Sequence, residues 1–345
     1  MYDCFKPGKI WYDTNKKIIQ AHGGSIIFAE DKFWWYGENK SDITGTATGE
    51  RCPFWHHGVK LYSSDDLYNW SDEGFCVVES DDKNNPFHPA NLMDRPHILY
   101  NAKTGNYVLW AKTTKDGDFS NSAFSICVGK TLKNMQFVKE ILPTPYHAGD
   151  FDLFEFKGKA YIVYENPHTE MVVQELTDDY QGLTNKSSSH LHAPCPPFVR
   201  EAPAVFEYKD RLYLITSGTT GYYPNVSELA DITDIHGEWK VLGNACVDDK
   251  KDNSFHAQFS SVFKHPKKEN VYIALGDRWL VDLPEDLPDM NDVFYKMCGP
   301  NPTAQDLSCF SDENTSVATY VWLPIRFDEK GKPYIKWYSK WTVSI

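Results

Sequence analysis

Apolar and polar positions alternate along this chain in short bursts, and the bursts come in pairs. Ser25–Glu38, His97–Thr113, Asp152–Asn166, Ala204–Thr219 and Phe259–Arg278 each read as an apolar run, a polar turn and an aromatic-rich run. That is the pattern of a β-hairpin. A second hairpin follows most of them, at Val59–Val78, Phe124–Val138 and Tyr320–Tyr338. Two hairpins make a four-stranded antiparallel unit of about 50 residues, and five such units fill the chain. The repeat predicts an all-β fold, a five-bladed β-propeller, with residues 1–345 as a single domain. A β-sandwich of many hairpins shares the turn spacing and is the alternative. No stretch keeps a helical period. Segments 40–58 and 280–316 are long, polar and rich in Pro and Gly, and read as loops on one face.

Composition narrows the partners. The 345 residues carry 35 Lys and Arg against 48 Asp and Glu, a formal net charge of -13. A protein that tracks phosphates needs a basic face, so nucleic acid and anionic membranes are not expected partners. No apolar run approaches the roughly 18 residues of a membrane-crossing helix. Aromatic residues make up 15%, which suits aromatic strands or faces that stack on sugars. The eight cysteines include no CxxC pair, which excludes a zinc ribbon and a thioredoxin motif. The opening Met1-Tyr2-Asp3-Cys4-Phe5-Lys6-Pro7 lacks a basic stretch followed by an apolar one. If Met1 is the natural start, the expectation is a cytoplasmic protein with reduced thiols; a trimmed chain would be a secreted one.

Phosphate-loop, HExxH, GxSxG and EF-hand patterns are absent. What stands out is the residue just before each unit's first strand. These are His22, followed by Gly23-Gly24; Asp94, followed by Arg95-Pro96; Asp150; Glu201, followed by Ala202-Pro203; and Gln258. The innermost strands of a propeller start near the central channel, so the five positions converge on one pocket. Each acid alone also fits a turn or a cap. Three carboxylates and an amide in register point instead to a site, because burying a carboxylate is costly unless it is paired or used.

The chain also holds Gln20-Ala21-His22-Gly23-Gly24, Tyr36-Gly37-Glu38, Asp94-Arg95-Pro96, Lys103-Thr104-Gly105, Asp150-(x)2-Leu153-Phe154 and Gly158-Lys159-Ala160-Tyr161. Further on come Glu201-Ala202-Pro203-Ala204, Thr216-Ser217-Gly218 with Thr220-Gly221, Asp277-Arg278-Trp279 and Tyr320-Val321-Trp322-Leu323-Pro324. Together, over nearly all of residues 10–341, these resemble glycoside hydrolase family 43. More narrowly they resemble its galactan-degrading branch of exo-β-1,3-galactanases.

The resemblance implies a five-bladed propeller of inverting glycosidases. The implied partner is an oligosaccharide or polysaccharide side chain of plant type, from which terminal galactose-type units are released. Related groups act as α-L-arabinofuranosidases, β-D-galactofuranosidases or β-xylosidases. By the same resemblance Glu201 matches the general acid and Asp150 the carboxylate that tunes it. Gln258 matches a water-holding glutamine that stands in for the usual base, since the first unit reads Ala21-His22-Gly23-Gly24 where most of the family has an Asp. Glu38, Asp94, His22, Arg95 and Thr220 match sugar-contacting positions, with Asp94 where this branch usually carries Glu. Trp279 and Trp322 follow family-like motifs and Trp55 lies in the first long loop; all three are candidate sugar platforms. No cofactor is implied, apart from a structural calcium near the propeller axis, for which the sequence has no oxygen-rich loop.

Inverting hydrolysis needs an acid on the leaving oxygen and a partner that positions water on the opposite sugar face, roughly 6.5–9.5 Å apart. The acid must stay protonated near neutral pH, and a neighbouring carboxylate raises its pKa by like-charge repulsion. A neutral amide is a poor base, so Gln258 requires either its imidic tautomer or a separate proton acceptor, Glu38 or Asp94. A sugar-binding propeller without catalysis competes with the enzyme; a scaffolding propeller would not gather Asp94, Asp150 and Glu201 at the channel.

Overall fold

The computed structural model describes residues 1–41, 54–115, 118, 121–303 and 314–343. Twenty strands form five antiparallel sheets of four, each in simple sequence order. Blade I holds β1 (His22–Ala29), β2 (Lys32–Glu38), β3 (Val59–Ser64) and β4 (Ser71–Val77). Blade II holds β5 (Leu92–Asn101), β6 (Asn106–Thr114), β7 (Ala123–Gly129) and β8 (Gln136–Ile141). Blade III holds β9 (Phe151–Phe156), β10 (Lys159–Asn166), β11 (Glu170–Leu176) and β12 (Leu183–His190). Blade IV holds β13 (Arg200–Tyr208), β14 (Arg211–Gly218), β15 (Glu228–Ile232) and β16 (Lys240–Asn244). Blade V holds β17 (Gln258–Lys264), β18 (Tyr272–Arg278), β19 (Thr319–Phe327) and β20 (Pro333–Ile335). The first strands β1, β5, β9, β13 and β17 touch one another in a closed circle, so the chain is a single-domain five-bladed β-propeller.

Local turn chemistry sets the blades. Two-residue loops join β1 to β2, β9 to β10 and β13 to β14, and both residues of each loop have positive φ: Glu30 and Asp31, Lys157 and Gly158, Lys209 and Asp210. That is the type I′ turn whose twist matches paired strands. These tight loops pin the register of the inner hairpins, on which the site depends.

The core lies between blades, in five apolar clusters. Period-two alternation feeds each strand into two of them. On β19, Tyr320 and Trp322 face blade I, whereas Val321, Leu323 and Ile325 face blade IV. The seam between blades V and I is closed by Phe5, Trp11 and Trp341 packed with Trp35, Trp70 and Trp322. Phe5 bridges Trp341 and Lys9 bridges Tyr320 through the backbone. Nine of the eleven tryptophans are buried, so most of the aromatic content is packing.

One expectation changes. The 280–316 segment contains a helix, α1 (Met290–Cys298). Asp289 caps it by accepting from the Asn291 N–H, and Lys296 pairs with Asp292 one turn apart. Its apolar side, through Met290, packs with Tyr223 and Leu280.

Candidate active site

The inner hairpins place two polar residues opposite each other at the same end of every blade. His22 faces Glu38, Asp94 faces Lys112, Glu201 faces Ser217 and Gln258 faces Asp277. In blade III the Glu165 N–H donates to the Asp150 carbonyl, one step beyond the Phe151–Tyr164 pair. The first member of each pair is the residue predicted from the strand starts. Of the second members, Ser217 and Asp277 lie in family-like motifs without a site role and Lys112 and Glu165 in none, although the hairpin register that locates one ring locates the other.

Four inner strands break register right after these positions, between His22 and Ser25, Asp94 and His97, Glu201 and Ala204, and Phe259 and Ser261. Gly23, Arg95 and Ala202 sit in the left-handed region, with φ of 61, 54 and 46. A bulge of this kind re-aims the strand beside a site. Only glycine suits the first: a Cβ on Gly23 would lie 2.5 Å from Glu38 Oε1.

The charges interlock. Arg95 Nε donates to Asp150 Oδ2 at 3.1 Å, its Nη2 lies 2.9 Å from the same oxygen, and its backbone N–H donates to Glu38 Oε1. Lys112 Nζ lies 3.0 Å from both Asp94 Oδ2 and Asp150 Oδ1. Lys40 pairs with the buried Glu38 at 2.9 Å. Burial alone would raise the Asp150 carboxyl, but the Arg95 and Lys112 cations outweigh it and hold the group well below the ordinary carboxylate range. Glu201 goes the other way: burial, then the negative charges of Asp150 and Glu165, push its carboxyl well above the ordinary value. Two carboxyls driven apart in this manner are suited to one protonated and one ionised role.

Gln258 is fully used. Its Oε1 accepts from Arg95 Nη2 at 2.5 Å and from Trp279 Nε1 at 2.9 Å; its Nε2 donates to Glu201 Oε1 at 3.0 Å and to Ser217 Oγ at 2.9 Å. Guanidinium and indole N–H groups only donate, so the amide oxygen must face them. Trp279 is thereby a member of the site, with its ring beside His22, Tyr222 and Arg95.

Three candidate sugar contacts are buried. Trp322 is packed in the seam between blades V and I, 4.5 Å from the Trp35 ring centre, because its position on β19 turns it away from the channel. Thr220 has no exposed surface; its hydroxyl donates to the Tyr223 carbonyl and accepts from Asn225, locking a turn. His22 is likewise sealed, with Nδ1 2.9 Å from Asp277 Oδ1 and its ring stacked on Tyr320, so it braces the site from behind. Trp55, between β2 and β3 of blade I, donates its backbone N–H to the carbonyl of Pro89, which lies in the connection between blades I and II. Most of the first long loop, 42–53, and part of the second, 304–313, lie outside the described residues. Among the described residues no group of three or more His, Cys, Asp or Glu is placed to hold a metal ion. No helix there is long and apolar enough to cross a membrane.

A sequence model described as glycosyl hydrolases family 43 matches residues 25–280. No curated protein sequence matches the chain. Among solved structures, the chain is similar to a GH43 β-1,3-galactosidase, BT0265, with a TM-score of 0.82 and 26% identity. That likeness covers 100% of this chain and 64% of the other, so the chain spans under two thirds of that protein. A second GH43 β-1,3-galactosidase, BT3683, in a structure with galactodeoxynojirimycin, gives a TM-score of 0.78 at 27% identity over 98% of this chain and 100% of the other. An exo-β-1,3-galactanase from Phanerochaete chrysosporium, solved with galactose, shares the fold at a TM-score of 0.77 and 20% identity, over 99% and 68%.

Proposed function

This chain belongs to glycosyl hydrolase family 43, and on that premise we propose that it is an inverting exo-glycosidase that removes terminal β-1,3-linked galactose from oligosaccharide side chains. The observation that carries this is the opposed pair in the ring: Glu201 with its carboxyl pushed up, beside Asp150 pinned ionised by Arg95 and Lys112. The two β-1,3-galactosidases that share the fold at 26% and 27% identity support the choice of sugar.

In the proposed reaction Glu201 donates its proton to the glycosidic oxygen as the bond breaks. Asp150 stays anionic throughout and keeps that proton on Glu201 until substrate arrives. Water attacks the anomeric carbon from the opposite face, and the product leaves with inverted configuration. The 3.0 Å contact between Gln258 and Glu201 is too short to admit a sugar ring, so substrate entry breaks it and frees one Nε2–H to hold the water. The amide oxygen faces two obligate donors and has no acceptor for a proton of its own, which disfavours the imidic tautomer. Of the remaining carboxylates, Asp94 has a side chain 19% exposed and Glu38 one 1% exposed, so Asp94 is the acceptor water can reach.

The test is a panel of nitrophenyl glycosides with β-1,3-galactobiose, followed by proton NMR of the fresh product. Release of α-galactose supports the proposal. Release of β-galactose, or cleavage of arabinofuranosides alone, overturns it. Asp94→Asn should abolish turnover while Glu38→Gln mainly raises KM; the reverse outcome moves the base to Glu38.

A further inference from the structure

Blades IV and V carry a second aromatic surface that no step above uses. Phe198 is 55% exposed and Tyr295, on α1, is 44% exposed, yet their rings meet edge to face at 5.8 Å. Large apolar rings left in water side by side are costly and mark a contact surface. This one is wired into the site. Phe198 lies three residues before Glu201, and the Pro197 carbonyl beside it accepts from the Thr219 N–H, two residues past Ser217. On the other side α1 rests on the turn at Gly221, where a Cβ would be 3.7 Å from the Phe294 ring. The adjacent Tyr222 ring lies 5.6 Å from Trp279, which holds Gln258.

The contacts therefore run from Glu201 through Gln258, Trp279 and Tyr222 to α1, whose Tyr295 meets Phe198, three residues before Glu201 in the chain. We propose that the Phe198–Tyr295 ledge binds the sugar units on the leaving-group side of the cleaved bond. The occupant follows from the acid: a group that protonates the glycosidic oxygen stands beside the departing part of the substrate, and the ledge begins three residues from that acid. The proposal rests on the glycosidase function above. Galactose offers an apolar C–H face that packs on exposed aromatic rings, and a ledge instead of a closed pocket accepts chains of differing length.

Titration calorimetry of the Glu201→Gln chain, with galactose, β-1,3-galactobiose and β-1,3-galactotetraose as probes, tests this. Affinity should rise with length, and Phe198→Ala or Tyr295→Ala added to that chain should remove roughly tenfold from the tetraose affinity while leaving galactose binding unchanged. Tyr295→Phe should restore most of the tetraose affinity. A length gain that survives both alanine changes, or an equal loss for galactose and tetraose, overturns the ledge. Hydrolysis of nitrophenyl galactoside by the unaltered chain is scored separately: activity there with no length gain sinks the ledge and leaves the glycosidase standing, whereas inactivity on every glycoside sinks the glycosidase itself.

Discussion

The amide of Gln258 donates to the carboxyl of Glu201 at 3.0 Å, so the two residues matched to opposite faces of the sugar are in direct contact. An inverting pair works at roughly 6.5–9.5 Å. The arrangement is thus a latched one, in which the proposed acid is held by the group that would meet the water. Opening needs only a side-chain swing at Glu201, since Gln258 is fixed by Arg95, Trp279 and Ser217. Gln258→Ala removes both latch and water site, and turnover should fall by more than about tenfold, toward the range lost when proton-transfer machinery is removed. A smaller loss in steady-state assays would show that the water is held elsewhere.

Glu201→Gln should lower turnover on galacto-oligosaccharides by about 10²–10⁴, with a smaller loss on nitrophenyl galactoside, whose leaving group needs little protonation. Stability moves the other way. Because the folded carboxyl titrates above its ordinary value of 4.5, the unfolded chain ionises first and the fold loses stability as pH rises through that interval. The glutamine variant lacks this loss, so its Tm should exceed the parent's at pH 8 and match it near pH 4.

Asp150→Asn takes the counter-charge from two buried cations. The expected cost is about 3–5 kcal/mol, the usual consequence of halving a buried ion pair. The folded Asp150 titrates below its ordinary value of 3.8, so its stabilisation is present above that pH and fades in acid. Denaturant melts should therefore show a deficit at pH 7 that narrows below about pH 4. The alkaline limb of activity should also move to lower pH, because Glu201 loses the negative charge that raises it most.

Lys112→Met tests one member of the second ring. The Lys112 cation pulls the Glu201 pKa down, so removing it should move the alkaline limb upward while Arg95 still anchors Asp150. A purely structural lysine would scale activity equally at every pH. An unshifted limb in the pH–rate profile would assign it that role.

Trp322→Ala should cost about 3–5 kcal/mol, as for other large core aromatics, and leave kcat per folded molecule unchanged. Chemical unfolding paired with active-site titration measures both. Loss of activity without loss of stability would return Trp322 to the channel.

Legibility tracked position within the hairpin. The five strand starts could be read because each precedes an apolar run in the same register, and the five blades follow from the same repeat. Lys112, Glu165, Ser217 and Asp277 close the second strands, where a polar residue reads as the beginning of a turn; their function exists only across the ladder. Trp322 and Thr220 sit in family-like motifs, yet a motif fixes a place along the chain and not the face of the strand or the bond partner in a turn. α1 was missed because its nine residues carry a short apolar stripe within a polar segment, and its start depends on one cap at Asp289.

The corner at which β1, β5 and β13 leave their register separates two kinds of demand on the sequence. Backbone ladders on either side carry the sheet, whereas the corner itself selects its residue, as Gly23 shows. The five blades present His22, Asp94, Asp150, Glu201 and Gln258 at one shared end, an imidazole, three acids and an amide on a common frame. A chain built in this way keeps its strand order apart from its chemistry, while the ion pairs that join Asp150 to Arg95 and Lys112 tie one blade's residue to its neighbour.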